Sequence, residues 1–183
     1  MKKIPTIFKR DINNLRKIVN VPHESCQWVF KGEGVATRKY DGACVKVEDG
    51  KYYKRREVKQ GKNPPENFIK EDFDSITGKT VGWVEVDPLA KDNKYHMEAF
   101  NQYPKLENGT YELLGPKIQG NPEKLDRHIL MLHSSAKKYF DVPLTFEGLR
   151  CWLNDKDIEG IVFHHPDGRM GKIKKRDFNL KRG

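Results

Sequence analysis

Cysteine is scarce in this chain and poorly placed for chemistry. The three residues, Cys26, Cys44 and Cys151, form no C-x-x-C pair, which excludes a zinc ribbon and supplies no disulfide framework. All three are expected to be reduced thiols, with Cys44 buried in a strand. The six histidines offer no metal-ligand spacing either, and the adjacent His164 and His165 would point to opposite faces of a strand. No apolar run approaches membrane-spanning length, and the start, Met1-Lys2-Lys3-Ile4-Pro5, lacks the apolar stretch of a signal peptide. The expectation is a cytoplasmic protein with no membrane partner. Internal repeats, linkers and low-complexity tracts are also missing, so residues 1–183 are expected to form a single domain.

Charge is what the chain has in abundance. Charged residues make up 33% of the sequence against 36% hydrophobic, and the formal net charge is +9. A cationic surface of that size favours a polyanionic partner, because phosphates attract lysine and arginine through counterion release. Nucleic acid is the obvious candidate, set against the plainer reading of a solvated basic surface.

Strand and hairpin patterns dominate. A short amphipathic helix is expected from Ile12 to Val19, with Leu15 and Val19 on one face. Cys44 to Glu48 alternates, Asp49-Gly50 turns, and Lys51 to Lys54 returns, which predicts a hairpin pairing Val47 with Tyr52. Gly61 to Pro65 reads as a loop, Asn67 to Gly78 as irregular or helical, and 59–79 as a candidate lid. Further strands are predicted at Val81 to Val86 and Thr110 to Leu114, with turns at Gly115-Pro116 and Gly120-Asn121-Pro122. Ile129 to Leu132 reads as a buried strand or helix start, and Leu144 to Leu153 carries a helical apolar pattern. In the last hairpin, Ile158 to His165 and Met170 to Lys174 flank Pro166-Asp167-Gly168. A two-residue turn at Asp167-Gly168 would face Phe163 to Lys172 and Ile161 to Lys174, putting Glu159 on the face of both lysines. The class is α+β, mostly antiparallel.

Lys39-Tyr40-Asp41-Gly42 is the most informative short string. A lysine beside an Asp-Gly turn presents an amine to a phosphate, although alone such a string is usually just a polar turn. Amine attack on a nucleotide α-phosphate needs a deprotonated lysine, a metal and an in-line leaving group. Lys39 is the candidate nucleophile. Its reference pKa of about 10.4 calls for neighbouring cations to lower it, a task suited to Lys172 and Lys174, which would also neutralise phosphate charge. Glu159 is the candidate metal ligand, directly or through water. Glu112 is suited to accept from a ribose hydroxyl, Arg55 to reach the ribose or the chain being joined, and Asp41 to shape the loop.

In order, these residues resemble the nucleotidyltransferase motifs shared by ATP-dependent DNA ligases, RNA ligases and mRNA capping enzymes. Lys39-Tyr40-Asp41-Gly42 looks like motif I and Arg55 like motif Ia. Tyr111-Glu112-Leu113 resembles motif III, Glu159-Gly160-Ile161-Val162 motif IV, and Lys172-Ile173-Lys174 motif V. More closely, the chain resembles the small 5′–3′ RNA ligases of vertebrates, phages and bacteria. That likeness rests on Gly82-Trp83-Val84-Glu85-Val86, Glu112-Leu113-Leu114-Gly115, Gly120-Asn121-Pro122, and Ile158 through His164, and spans about residues 30 to 180.

The resemblance implies a ligase adenylation domain, twisted antiparallel sheets flanked by helices, using ATP with Mg²⁺ or Mn²⁺. Lys39 would take AMP and release pyrophosphate; AMP would pass to an RNA 5′-phosphate, and a 3′-hydroxyl would displace it. Nucleotide-binding residues implied are Lys39, Asp41, Gly42, Arg55, Glu112, Ile161, Lys172 and Lys174. Two departures from the family pattern follow. The sequence ends shortly after Lys174, so no OB-fold domain is expected. The aromatic that commonly stacks on adenine has no counterpart in Ile129-Leu130-Met131-Leu132-His133, so an aliphatic floor including Ile161 is expected instead. Guanylyl transfer to an RNA 5′ end, or a non-catalytic basic RNA-binding module, are the alternatives.

Overall fold

The computed structural model describes residues 2–75 and 77–182; Met1, Ile76 and Gly183 lie outside the described residues. In chain order the strands are β1 (Phe8–Arg10), β2 (Ile18–Pro22), β3 (Val35–Lys39), β4 (Ala43–Glu48), β5 (Lys51–Val58) and β6 (Ile69–Asp74). They continue with β7 (Lys79–Glu85), β8 (Gly109–Leu114), β9 (Ile129–Leu132), β10 (Lys138–Tyr139), β11 (Gly160–His164) and β12 (Met170–Lys174). The helices are α1 (Gln27–Phe30), α2 (Lys94–Phe100) and α3 (Phe146–Asn154). The architecture is mixed α and β with antiparallel sheets and few helices. Among the described residues no helix is long and apolar enough to cross a membrane.

The chain divides into two compact units, one built on Asp41–Ser135 and the other on Ile4–Tyr40 with the chain from Ala136 onward. The first unit carries a six-stranded antiparallel sheet in the order β6-β7-β5-β4-β8-β9. One sheet face buries Val45, Val47, Tyr111, Leu113 and Leu130 against Ala99 and Phe100 of α2. The β4–β5 hairpin turns through Asp49 and Gly50, both left-handed, which matches the strand twist and gives the predicted pairing of Val47 with Tyr52.

The second unit carries a four-stranded sheet in the order β10-β3-β11-β12, beside the β1–β2 ribbon. Ala36, Ile161, Phe163 and Ile173 line its core face and pack with Leu149 and Leu153 of α3. Helix α3 falls where the apolar pattern puts it, and the Thr145 side chain caps it by accepting from the Gly148 amide at 3.2 Å.

Four expectations are corrected. Residues 12–19 form no helix: the Asp11 carboxylate accepts from the Asn13 amide and the Asn14 side chain from the Arg16 amide, local bonds that compete with a helix. The segment turns into β2 instead, leaving Ile12 91% exposed. The region expected to be irregular or helical contains β6, a bulged edge strand whose charged, exposed composition hides its alternation. Cys44 is half-buried, and Cys26 is the buried thiol.

The fourth correction decides which side chains meet. The last hairpin closes with three residues rather than two: Gly168 N donates to His165 O at 3.0 Å, and His165 N to Arg169 O at 2.9 Å. Pro166 suits the first corner of that turn and Gly168 takes the left-handed position, φ 92°. Val162 therefore pairs with Lys172 and Gly160 with Lys174. A one-residue slip exchanges faces, so Ile161 opposes Ile173 on the core side, away from Lys172 and Lys174. Ile161→Ala should thus lower the unfolding free energy by about 2–5 kcal/mol in a denaturant titration. A change below about 0.5 kcal/mol would contradict its place in the core.

Candidate functional site

The motif string divides at the edge of the two units: Lys39 ends β3 in one, and Asp41-Gly42 open the other. Each half assembles its own group of polar side chains.

In the second unit, Lys39, Gly160 and Lys174 stand side by side across β3, β11 and β12. Thr37, Val162 and Lys172 form the next row, so all three lysines share one sheet face. Gly160 is dictated by crowding, since a Cβ there would lie 2.2 Å from the Ile173 carbonyl oxygen. Glu159 is not on that face by strand alternation, as the sequence suggested. It lies in the bend before β11 and delivers its carboxylate from there.

That carboxylate is shared. Lys39 Nζ donates to Glu159 Oε2 at 2.6 Å, and Lys174 Nζ forms an ion pair with Glu159 Oε1. The three side chains are 21%, 12% and 11% exposed for Lys39, Glu159 and Lys174, so water screens the pairs weakly. Asp177 fixes the Lys174 backbone by accepting its amide at 2.9 Å, and is itself held by Arg10 Nη1 at 2.8 Å.

Burial pushes the Glu159 carboxyl up, but the Lys39 and Lys174 ammonium groups outweigh it and hold the carboxyl below its ordinary value. Burial, then the charges of Lys174 and Lys39, push Lys172 down to about 8. Burial and the Lys39 charge lower Lys174 as well, opposed by Glu159. Three amines facing one carboxylate leave a net positive patch suited to a phosphate group.

In the first unit, Glu112 is 7% exposed and held at both oxygens. Gly42 N donates to Oε1 at 3.1 Å, and His133 Nε2 lies 2.9 Å from Oε2. His133 Nδ1 lies 2.9 Å from Thr110 Oγ1, so the imidazole braces Glu112 from a fixed orientation. The Asp41 amide donates to Glu123 Oε1 at 3.1 Å. Lys46 pairs with both Tyr53 and Thr110, which places Arg55 on the same sheet face as Glu112.

The structure thus brings Lys39, Glu159, Lys172 and Lys174 together in one unit, and gathers Gly42 and Glu112, with Arg55 on the shared face, in the other. Ile161 joins neither group. Sequence reasoning missed His133 and Glu123. The spacing of Thr110 and Glu112 on one strand face, both meeting His133, is a signal only once β8 is known to pair with β9. Among the described residues no group of three or more His, Cys, Asp or Glu is arranged to hold a metal. Glu159 is a lone carboxylate, which fits a hard cation shared with substrate phosphates rather than one caged by protein.

An α+β chain with antiparallel sheets, presenting a lysine–glutamate–lysine cluster, is the setting in which similarity to other proteins becomes informative. Residues 99–182 match the family described as RNA ligase 1. The chain is also 25% identical to an RNA ligase 1 of Danio rerio, over 57% of this chain and 42% of that protein. The match therefore spans about two-fifths of that relative's length. The family match includes Glu112, Glu159, Lys172 and Lys174; Lys39 and Arg55 precede it.

Glu159→Gln should destabilise the fold by on the order of 2–4 kcal/mol at pH 7, because it strands partly buried ammonium groups. A depressed carboxyl contributes stability above its unfolded value near ~4.3 and loses it as pH falls through the lower folded value. The gap between variant and wild type in thermal melts should close in acid. Equal melting temperatures at pH 7 would contradict the shared ion pair.

Proposed function

We propose that the chain is an ATP-dependent RNA ligase working through a covalent lysyl-AMP. The observation that carries this reading is the Lys39 amine at 2.6 Å from Glu159, with Lys174 on the other carboxylate oxygen and Lys172 in the adjoining row. The similarity to RNA ligase 1 supports it from outside the geometry.

The amine of Lys39 attacks the α-phosphorus of ATP: a P–N bond forms, the bond to the β-phosphate oxygen breaks, and pyrophosphate leaves with the electron pair. Before attack Lys39 releases its proton to solvent water and gives up its partner, which is where the shared carboxylate matters. Glu159 stays engaged with Lys174 while it releases Lys39, so the site keeps a charge-balanced pair throughout. Lys172 and Lys174 then stabilise the negative charge that accumulates on the transferring phosphate. A Mg²⁺ or Mn²⁺ ion on the triphosphate, with Glu159 as its protein ligand, would neutralise phosphate charge.

Glu112 accepts from a ribose hydroxyl; its oxygens each have a lone pair beyond those used by Gly42 and His133. Asp41 and Gly42 shape the turn that follows the nucleophile. AMP next passes from Lys39 to an RNA 5′-phosphate, and an RNA 3′-hydroxyl attacks that phosphate and expels AMP. Arg55 serves these later steps by holding the RNA end.

Incubation with α-labelled ATP or GTP and a divalent metal, followed by denaturation, tests the reading. Label from ATP should remain on the protein and vanish in Lys39→Ala and Glu159→Ala. Arg55→Ala should label normally and join RNA ends at least about tenfold more slowly. Label from GTP alone would favour guanylyl transfer, and none at all a binding module.

A further inference from the structure

One groove belongs to neither polar group. It encloses about 500 Å³ in the first unit, walled by the loop after β5, by β6 and by the start of β7. Its size is that of a small-molecule or nucleotide subsite. Its sheet lining is one row, Val58 with Thr80 and Phe73, and Lys70 from the next row on that face, which also carries Gly82 and Arg56. Arg55 alternates with Arg56, so the groove opens on the sheet face opposite to that of Arg55 and Glu112.

Its lining is unusual in charge. Lys59, Lys62 and Lys70 contribute, and no carboxylate does. Among the described residues none of these lysines, nor Arg56, is paired with an acidic side chain. Aromatic surface lies between the cations. Phe73 is 51% exposed, and the Lys70 ammonium sits 5.9 Å from its ring centre. Phe68 lies across Gly82, where a Cβ would come within 2.5 Å of the ring, so the glycine makes room for an aromatic wall. An exposed ring on an edge strand normally costs solubility, and unpaired cations around it add mutual repulsion. A polyanion with flat bases relieves both.

We propose that this groove binds a single strand of RNA, with phosphates on Lys59, Lys62 and Lys70 and a base stacked on Phe73. Cationic tracks interleaved with aromatic platforms are the general means of gripping single strands without reading sequence. The choice of RNA over another polyanion rests on the ligase reading. The groove would hold the body of a substrate strand, adding affinity without taking part in nucleotide transfer.

Fluorescence anisotropy of a 5′-labelled single-stranded RNA 12-mer, measured across about 50–200 mM salt, tests this. The Lys59→Ala/Lys62→Ala/Lys70→Ala variant should bind at least about tenfold more weakly, and its log–log salt slope should fall by roughly two, at ~0.7 per lost phosphate contact. Phe73→Ala should weaken binding several-fold with an unchanged slope. Both variants should take label from ATP at Lys39 as the wild type does. The proposal is overturned if the triple variant keeps wild-type affinity and slope, or if the wild type binds no RNA. It also falls if a glutamate-rich peptide displaces the RNA at equal affinity, which would assign the groove to an acidic protein. Absence of ATP label on the wild type, with the groove variants still losing RNA, would sink the ligase reading alone.

Discussion

One carboxylate shared by two lysines is the constraint around which the second unit is organised. Glu159 meets Lys39 from β3 and Lys174 from β12, with Gly160 between them in the row. Partly buried charges of this kind are costly unless paired, and a third lysine in the next row adds to the cost. Such a concentration of perturbed titrating groups is where chemistry is most expected. Burial and two neighbouring ammonium groups bring Lys172 down to about 8.

The sheet supplies the precision. Lysines on β3 and β12, the two neighbours of β11, keep a fixed spacing only because the strands keep register, and a single loop sets the register of β11 with β12. The Pro166-Asp167-Gly168 turn sets Lys172 against Val162 and Lys174 against Gly160, which turns Ile161 and Ile173 into the core. The apolar side of the strand pair and its cationic side are one decision. Altering the loop by a residue would exchange them and place lysines in the core. Glu112 shows the same economy in the other unit: its position opposite Cys44 and Met131 brings His133 and Gly42 within reach of its two oxygens.

Much of this was legible in the chain. The order Lys39, Arg55, Glu112, Glu159, Lys172, Lys174 named polar residues that the structure gathers as two groups, one in each unit, and the Asp49-Gly50 signal fixed one hairpin to the residue. Turn chemistry explains that success, since two left-handed positions leave few alternatives. The last hairpin failed for the complementary reason: Pro166-Asp167-Gly168 admits two loop lengths, and alternation alone cannot choose between them. Asx bonds at Asp11 and Asn14 defeated an apparent helix, and an exposed edge strand concealed β6 among its charges. His133 was invisible because its role arises from strand pairing across a long sequence separation. Side chains recruited by a local motif are readable in sequence, whereas those recruited by topology are not.

The central claim is that Lys39 and Glu159 form one energetic unit. A double-mutant cycle with Lys39→Met, Glu159→Gln and the combined variant, followed by urea unfolding at pH 7, measures that directly. The expected result is a coupling energy of at least about 1 kcal/mol, with the double variant more stable than the sum of the single losses allows. Additivity within about 0.3–0.5 kcal/mol would mean that the two groups do not sense each other, and would contradict the account.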